Sequence, residues 1–470
     1  MFERLVAWIK EVWNKMINRT ELKNVAGVDP TLSAEMISAL QLWTAIYENK
    51  APWLSEDVKS LNLAAAISSE VARLVTLEMH LEVSGGLRAE YLQSQLSPLL
   101  SKIREVVESG AARGGLMLKP YVSEGTIQID TIPAGNFYPV RYDSSGGISA
   151  VIFLDQKTVG AWHYTRVEYH DLADVYTIRN KSFRSRTKET LGNEVPLSFV
   201  EEWADILPEA TLQGVRVPLF GYFRYPAANN IDSSSPLGVS CFARSVQQIE
   251  EADRQWSRLL WEFKAGEMAL YVDVSAFDQD RDGKPILPSR RLFRTLRGME
   301  GPNIGEEGFF KEWAPTLREE SLLAGLDAIL KRVEFNCGLA YGTLSDPQSV
   351  EKTATEIKIS RQRSYATVTD TQKALDSALR QLAGAMDVLA SIYSLSPAGV
   401  YEISTSFDDS VITDKDALLI QDRQTVTMGA MPKYQFLMRN YGLSEAAARD
   451  WITEAQSEGK TQELFGDQGV

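Results

Sequence analysis

The longest regular hydrophobic pattern in the chain lies between residues 365 and 393. Nine positions follow one another there at alternating steps of three and four: Tyr365, Val368, Gln372, Leu375, Leu379, Leu382, Met386, Leu389 and Tyr393. This spacing places all nine side chains on one face of an α-helix. We therefore predict one very long helix that begins near Val350 and has a helical neighbour along most of its length.

Two shorter stripes predict a pair of helices upstream of the long one. The first helix is expected to begin after Gly238, with the stripe Phe242, Val246, Ile249, Trp256, Leu260 and Phe263 and with Asp253 in the one polar position. The second is expected to begin near Thr316, which has the spacing of a capping box with Glu319. Its apolar face consists of Leu322, Leu323, Leu326, Leu330, Val333 and Cys337.

Strand patterns fall between the helical segments. Helices are predicted at Ala64–Leu81 and Leu92–Val107, and the alternation of Thr126–Ile132 predicts a strand, as do the runs Ala150–Leu154 and Trp162–His170. Between the two shorter helices, Met268–Val274 is typical of a strand, Asp278–Gly283 of a turn, and Arg290–Arg294 of a partner strand. The chain is therefore predicted to be an α+β protein.

Composition limits the classes of function. The net charge of −14 argues against a generic polyanion-binding protein. No run reaches 18 apolar residues, and the amphipathic segment 1–18 carries mixed charges, so we expect it to dock on protein rather than on a membrane. Cys241 and Cys337 cannot form a disulfide framework, which indicates a reducing compartment.

The candidate chemical sites are few. Asp278, Asp280 and Asp282 with Gly283 match the first half of a calcium loop, but Ser289 stands where the loop needs a bidentate Glu, so a solvated turn is the favoured interpretation. His80 is expected to be packed in an apolar helix. His163 and His170 are expected on opposite faces of one strand, which disfavours a shared metal. No catalytic, metal or cofactor site is predicted.

The order of these elements resembles the stem, clip, stem, tunnel loop and channel helix of tailed-bacteriophage portal proteins. The chain is most similar to the portals of Gram-positive siphophages, and the likeness covers nearly all of it. The matching motifs are Gly238-Val-Ser-x-Phe242, Ile249-Glu-Glu-Ala-Asp253, Ile132-Pro-x-Gly-x-Phe-Tyr-Pro139, Tyr341-Gly-Thr-Leu-Ser345, Lys352-Thr-Ala-Thr-Glu-Ile357 and the segment Lys433–Leu443. The segment Arg290–Phe310 follows no pattern of that family.

The resemblance implies a portal fold. It consists of a helical and β-rich wing (1–235, with the β-rich insert 116–225), antiparallel stem helices (236–266 and 316–341), a β-rich clip (267–315), a tunnel loop with the long channel helix (342–395), and a helical crown with a tail (396–470).

The resemblance also implies a function. Portal subunits form a homo-oligomeric ring of about twelve copies at one capsid vertex. Double-stranded DNA passes through the channel during packaging and ejection, and the ring contacts the terminase large subunit, a head-completion or adaptor protein, and the major capsid and scaffolding proteins. The expected location is the virion, after assembly in the bacterial cytoplasm, with no membrane, cofactor or enzymatic activity.

Particular residues take roles from this resemblance. The tunnel-loop set is Thr343, Ser345, Gln348, Lys352, Lys358 and Arg361, with Gln348 and Lys352 facing the DNA and Lys358 and Arg361 supporting the loop. The stem-packing set is Phe242, Val246, Ile249, Trp256, Leu260, Leu326 and Leu330. The clip-docking set is Arg290, Arg291, Arg294 and Arg297.

Two other classes of function remain open at this point. A different structural ring, adaptor or minor head protein would lack the tunnel-loop match and the long channel helix. A metal-dependent enzyme would use Asp278, Asp280 and Asp282. If the stem helices are antiparallel, Cys241 and Cys337 lie near the same end of the pair, where a mild oxidant is expected to join them when their Cα atoms are within about 7 Å.

Overall fold

The computed structural model describes residues 19–273, 278, 286, 292–296, 310–346, 354–407 and 415–465, and for 19–20, 272–273, 294–296, 310–311, 354–361, 415–418 and 456–465 the backbone alone. The chain divides into two compact units, one of Met1–Leu77 with Leu81–Thr405 and one of Glu78–His80 with Ser406–Val470. Helices and mainly antiparallel sheets occur together, so the α+β prediction is confirmed. The segment 1–18 lies outside the described residues. Among the described helices, none is both long and apolar enough to cross a membrane.

The single helix predicted at Leu92–Val107 is two helices in the structure, and an unpredicted strand precedes them; the other predicted elements occur in the expected order. The helices are α1 Arg19–Ala26, α2 Ala34–Tyr47, α3 Leu63–Thr76, α4 Leu87–Leu100, α5 Ile103–Arg113, α6 Val246–Ala265, α7 Glu319–Cys337, α8 Ala354–Ile392, α9 Lys415–Thr427, α10 Lys433–Tyr441 and α11 Glu445–Phe465. The strands are β1 Met79–Gly85, β2 Gly115–Ser123, β3 Thr126–Pro133, β4 Phe137–Tyr142, β5 Ile148–Val159, β6 Trp162–Leu172, β7 Tyr176–Ser185, β8 Asn193–Val195, β9 Glu209–Leu212, β10 Gly221–Arg224, β11 Ala269–Asp273, β12 Phe293–Leu296, β13 Phe310–Trp313 and β14 Tyr401–Phe407.

The strands of the described residues form four sheets. The largest has the order β4-β5-β6-β7-β8, with β9 also paired to β7. A second sheet has the order β10-β2-β3, a third β12-β11-β13, and β1 pairs with β14. Phe137 of the first sheet makes an edge-to-face contact with Tyr222 of the second, at a centroid distance of 5.7 Å, so aromatic rings pack the two sheets together.

The long helix α8 confirms the predicted stripe but not the predicted neighbour. It has 39 residues, roughly 58 Å at 1.5 Å per residue. Seven stripe positions are at most 8% exposed, namely Val368, Gln372, Leu375, Leu379, Leu382, Met386 and Leu389. The stripe packs mainly on strands β10 and β2 and on helices α3 and α4, so the expectation of a helical neighbour along most of its length is wrong.

A glycine makes this helix-on-strand contact possible. A Cβ atom at Gly221 of β10 would clash with the carbonyl oxygen of Ala378 in α8. The neighbouring Tyr222 donates its backbone N–H to Gln381 Oε1 of α8 at 3.1 Å. The strand backbone therefore lies directly on the helix, where a helix with side chains all round could not approach as closely.

Arg88 of α4 holds the end of α8. Its side chain is 1% exposed, and its guanidinium donates to the carbonyl oxygens of Asp387, Ser396 and Pro397 at 3.2, 2.9 and 3.0 Å. Asp387 lies in the last turns of α8, whereas Ser396 and Pro397 belong to the segment that follows the helix. A cation is also favourable near the negative end of the helix dipole. The arginine thus joins the segment after α8 to the end of that helix.

Asp253 of α6, the polar position in the predicted stripe, is buried and anchors a loop. Its two carboxylate oxygens accept the indole N–H of Trp53 at 2.8 Å and the backbone N–H of Leu61 at 2.7 Å. Burial raises the pKa of Asp253, although both hydrogen bonds oppose the rise. The loop between α2 and α3 is therefore fixed to α6 through one carboxylate.

Both helices of the upstream pair begin later than the sequence predicts. Helix α6 begins at Val246 and follows a single 3₁₀ turn, Ala243–Ser245, so Phe242 precedes the helix. Helix α7 begins at Glu319, and Arg318 occupies the N-cap position without a side-chain cap, so the predicted capping box does not form. Glu262 of α6 instead accepts the backbone N–H and the guanidinium of Arg318, which replaces a local cap with a contact between helices.

The small sheet between α6 and α7 confirms one predicted strand pairing and shows its direction. Strand β11 pairs with β12, as predicted, but the two strands are parallel. Of the predicted turn Asp278–Gly283, only Asp278 is among the described residues. The antiparallel partner of β11 is β13, with Tyr271 opposite Lys311.

The histidines differ in their surroundings. His80 is exposed in β1, because α3 ends at Thr76, so the prediction of a packed helical histidine is wrong. His163 and His170 both lie on β6, as predicted; His163 contacts Thr158 at 2.9 Å, whereas His170 is buried. They therefore belong to separate environments.

His170 belongs to a buried series of hydrogen-bonded side chains that links the six-stranded sheet to the sheet β10-β2-β3. Lys119 of β2 donates to Glu168 of β6 at 2.6 Å. The other oxygen of Glu168 lies 2.7 Å from His170 Nε2, which must donate because a carboxylate only accepts. His170 Nδ1 then accepts from the hydroxyl of Tyr176 at 2.8 Å, and that hydroxyl oxygen accepts the N–H of Leu219 at 3.1 Å. Every partner is satisfied while His170 is neutral.

We expect these buried hydrogen bonds around His170 and Glu168 to make the stability of the fold sensitive to acid. Burial lowers the pKa of His170 below 6.5, so below pH 6.5 the unfolded chain binds a proton more readily than the folded chain. Burial alone would raise the pKa of Glu168, but Lys119, Arg166 and His170 lower it well below 4.5. The stabilisation from both groups is therefore present at pH 7.5; the His170 contribution falls as the pH drops below 6.5, and the Glu168 contribution below 4.5.

Replacing the histidine tests this expectation. At pH 7.5, His170→Gln should lower the free energy of unfolding by about 1 to 3 kcal/mol, because buried partners lose their hydrogen bonds. The loss of stability between pH 7.5 and 5.5, measured by urea unfolding, should be smaller in this variant than in the wild type. His80→Gln, at the exposed histidine, should keep the wild-type dependence. Equal pH dependence in wild type and His170→Gln would contradict the assignment.

Candidate functional site

Helices α6 and α7 form an antiparallel pair. The start of α6 meets the end of α7, where Cys337 Sγ lies 3.5 Å from Ser245 Oγ. In the middle, Gln255 donates to the carbonyl oxygen of Leu322 at 3.0 Å. At the other end, Glu262 and Arg318 form an ion pair at 2.7 Å. The small sheet β12-β11-β13 joins the two helices at this end, because its strands lie between them in the chain.

Large apolar side chains remain exposed at the sheet end of this pair. We call this set the clip-end patch: Leu260 (39% exposed), Trp261 (64%), Phe263 (46%), Met268 (53%), Trp313 (44%) and Leu323 (47%). The Trp313 indole donates to the carbonyl oxygen of Ala265 at 3.3 Å, which keeps it beside the end of α6. A concentration of exposed aromatic surface of this kind is typical of a protein–protein contact.

The predicted stem-packing residues divide by exposure. Phe242, Ile249 and Leu326 are 0%, 1% and 7% exposed within the single chain, so they offer almost no surface to a second copy. Val246, Trp256 and Leu330 are half-buried, and Leu260 belongs to the clip-end patch. Trp261, the most exposed member of that patch, was missed because it lies outside the three-four spacing of the sequence stripe.

The turn that follows α7 is built around Glu334, which is fully buried near the end of that helix. Its carboxylate accepts the backbone N–H groups of Gly342, Leu344 and Ser345 at 3.1, 2.6 and 2.8 Å. The hydroxyl of Ser345 donates to the same carboxylate at 2.9 Å. Asp327, two turns earlier on α7, accepts the backbone N–H of Asp346 at 2.9 Å. Two acidic side chains of one helix therefore hold the turn.

Helices α7 and α8 also touch directly beside this turn. Gly338 ends α7 with a φ of +72°, and a Cβ atom there would clash with the Thr367 hydroxyl of α8. The guanidinium of Arg363 in α8 stacks on the ring of Phe335 in α7, 4.0 Å from its centroid, and Arg332 lies 5.6 Å from the same centroid. Contacts between the end of α7 and the adjacent part of α8 thus join the two helices beside the turn.

The structure describes only part of the predicted tunnel-loop set. Thr343 is exposed, and its hydroxyl donates to the carbonyl oxygen of Ala340 at 2.6 Å. Ser345 is 5% exposed and bonded to Glu334, so its side chain faces the protein interior and not a channel. Gln348 and Lys352 lie outside the described residues. Lys358 and Arg361 lie on α8, and only their backbone is described.

The clip-docking set and the aspartate motif lie mostly outside the described part of the chain. Arg290, Arg291 and Arg297 are not described, and Arg294 is described only as backbone within β12. Asp278 is exposed, and its carbonyl oxygen accepts the N–H of Ile286 at 2.7 Å. Asp280 and Asp282 lie outside the described residues. Among the residues that are described, no three His, Cys, Asp or Glu side chains are placed to hold a metal ion.

One cleft of about 590 Å³ lies between the α4–α5 helices and strand β3. Its polar lining residues include Gln95, Lys102, Glu105 and Gln128. The lining is mixed, because apolar side chains such as Leu99, Val106 and Ile127 lie among these polar ones.

Sequence reasoning missed Glu334. The available signal was an acidic residue between Val333 and Cys337 on the apolar face of a predicted helix. A carboxylate at such a position needs buried donors, but nothing local indicates that these come from the backbone of residues 342–345.

Comparison with known proteins gives one family. A family model described as "Phage portal protein, SPP1 Gp6-like" matches residues 99–461, well over half of the chain. No curated protein matches this chain. Among solved structures, a chain from "Neck of native GTA particle computed with C12 symmetry" is similar at 11% identity and a TM-score of 0.37, over 87% of this chain and 94% of that chain.

The two cysteines allow a test of this part of the fold. Both are free and buried, Cys337 beside Ser245 and Cys241 with its Sγ 3.5 Å from Ser68 Oγ. Burial raises the pKa of each thiol from 9.0 to about 12, so at pH 8 each is ionised roughly a thousandfold less than an ordinary thiol. We expect both to resist a thiol reagent such as dithionitrobenzoate in the folded protein and to react at once in guanidinium. Rapid labelling of the folded chain would contradict this.

Proposed function

The chain belongs to the SPP1 Gp6-like family of phage portal proteins, and we propose on that premise that about twelve copies form a closed ring at one vertex of a phage capsid. The observation that carries the proposal is the family match over residues 99–461. The ring encloses a channel through which double-stranded DNA enters the capsid and later leaves it. As a portal, the protein is a structural component of the virus particle, and we assign it no enzymatic reaction.

The antiparallel pair α6 and α7 supplies the contact between subunits. Neighbouring pairs lie side by side around the ring, and the clip-end patch of each subunit packs against the next copy. Fully burying one large apolar side chain stabilises a complex by about 1.5 to 3 kcal/mol. The exposure of Trp261 and Phe263 in the single chain supports this role, because these side chains have a favourable contact to gain.

The acidic character of the subunit suits a conduit. DNA binds proteins mainly through its phosphates, so a strongly basic channel would hold the DNA and slow its movement. A net charge of −14 with a few cations near the loop lets the DNA slide. Within this model Gln348 and Lys352 face the DNA, and Lys358 and Arg361 support the loop.

The remaining partners follow the portal role. We place the terminase large subunit, and after packaging a head-completion or adaptor protein, on the sheet β12-β11-β13 and on the arginines around it, namely Arg290, Arg291, Arg294 and Arg297. The wing faces the major capsid and scaffolding proteins. Assembly takes place in the cytoplasm of the bacterial host.

The ring is tested by changing the clip-end patch. Phe263→Ser, and more strongly Trp261→Ser, should weaken ring formation about tenfold or more, because each removes apolar surface from the contact. Phe199 is a matched control, since it is 50% exposed but lies in the wing. Negative-stain images and mass photometry measure the result: Phe199→Ser should give normal rings. Unaltered rings in both patch variants would place the subunit contact elsewhere, and a wild-type chain that remains monomeric would refute the ring itself.

The channel is tested by reversing a charge. Lys352→Glu should reduce DNA packaging severalfold while rings form normally, because it replaces an attraction for the phosphates with a repulsion. Lys373 on α8 is the control, since its side chain is 73% exposed and lies in the long helix away from the loop. Packaged DNA, counted as nuclease-resistant genomes per cell, is the measurement. Normal packaging by Lys352→Glu would refute the assignment of this residue to the channel.

A further inference from the structure

The Glu334 carboxylate and the turn 342–346 depend on each other. A fully buried carboxylate is costly unless hydrogen bonds satisfy it. Here three backbone N–H groups and one hydroxyl do so, and all four come from Gly342, Leu344 and Ser345. If the turn left its position, the carboxylate would lose these donors, and the N–H groups would lose their acceptor. The turn is therefore bound to α7 far more strongly than its exposed position after a helix end would suggest.

Neighbouring contacts reinforce this arrangement. Asp327 accepts the N–H of Asp346 at 2.9 Å, and its own carboxylate pairs with Lys331 at 2.6 Å. Gly338 lies against Thr367, and Phe335 lies under the guanidinium of Arg363. The end of α7, the turn and the adjacent part of α8 are thus connected by separate interactions on each side.

We propose that Glu334 is a positioning residue: its carboxylate joins the turn 342–346 to α7 as one rigid body and so fixes where the chain leaves the stem toward the DNA. The proposal rests on the proposed portal function, in which the residues after this turn face the channel. A rotation of α7 then carries the turn with it. The direct DNA contact belongs to other side chains, because Glu334 itself is fully buried.

The test uses purified rings of the full chain and phage carrying the same variants. Glu334→Gln keeps the size of the side chain but removes its charge, which weakens the three N–H···O bonds to Oε1, and it places an amide NH₂ where the other oxygen accepts from the Ser345 hydroxyl. Hydrogen–deuterium exchange of the peptide containing Gly342, Leu344 and Ser345 should become about tenfold or more faster. Ser345→Ala removes only the hydroxyl and should give a smaller rise. Glu320→Gln removes an equal charge from an exposed position on α7 and should change nothing.

In phage, Glu334→Gln should lower the number of packaged genomes severalfold, with Ser345→Ala intermediate. Unchanged exchange in Glu334→Gln would overturn the proposal, and faster exchange with normal packaging would overturn its role in DNA passage. If Glu334→Gln forms no rings, Ser345→Ala decides by the same two readouts. Exchange needs no DNA, so it tests the anchor even if the portal function fails, whereas normal packaging by phage that lack the chain would refute that function alone.

Discussion

The close contact between helix α8 and the backbone of strand β10 organises the larger unit of the chain. Seven of the nine positions in the stripe of α8 are buried, whereas Tyr365 and Tyr393 at its two ends are exposed. Gly221 allows the strand to lie directly on the helix. Arg88 joins the far end of α8 to the segment that follows it, through the carbonyl groups of Asp387, Ser396 and Pro397. Helix propensity alone would give the polar parts of this 39-residue helix only marginal stability. Most of the stability of the helix comes from the tertiary packing of its apolar face. The sheets and shorter helices around it are arranged on this support.

The antiparallel pair α6 and α7 has a different balance. Its end near Cys337 is well packed, because Ile249, Val333 and Cys337 are all buried. Its end near the small sheet keeps aromatic side chains in solvent and relies on the ion pair between Glu262 and Arg318. Exposed ion pairs contribute little to stability. The helix pair is therefore well packed at one end and leaves apolar side chains exposed at the other, as expected of a pair that packs against another subunit in an assembly.

Patterns that depend on local spacing were predictable from the sequence. The apolar stripe of α8 could be predicted, because one face of a helix repeats every three or four residues. The strand that packs on this stripe could not be predicted, since β10 lies more than 150 residues earlier and becomes a suitable partner only through Gly221. Strand β12 was predicted as the partner of β11, but alternation does not encode strand direction. The capping box at Thr316 failed because Glu262, on another helix, is the stronger acceptor for Arg318. The Glu334 site was missed because three of its four donors are backbone N–H groups, which every sequence has.

The carboxylate of Asp253 connects α6 to the loop between α2 and α3 through Trp53 and Leu61. Ser257, one turn further along α6, adds a hydrogen bond from the backbone N–H of Lys59 at 2.7 Å. The helix pair is therefore tied to the loop of residues 53–61, and through that loop to the start of α3, by one acidic side chain and the serine one turn later.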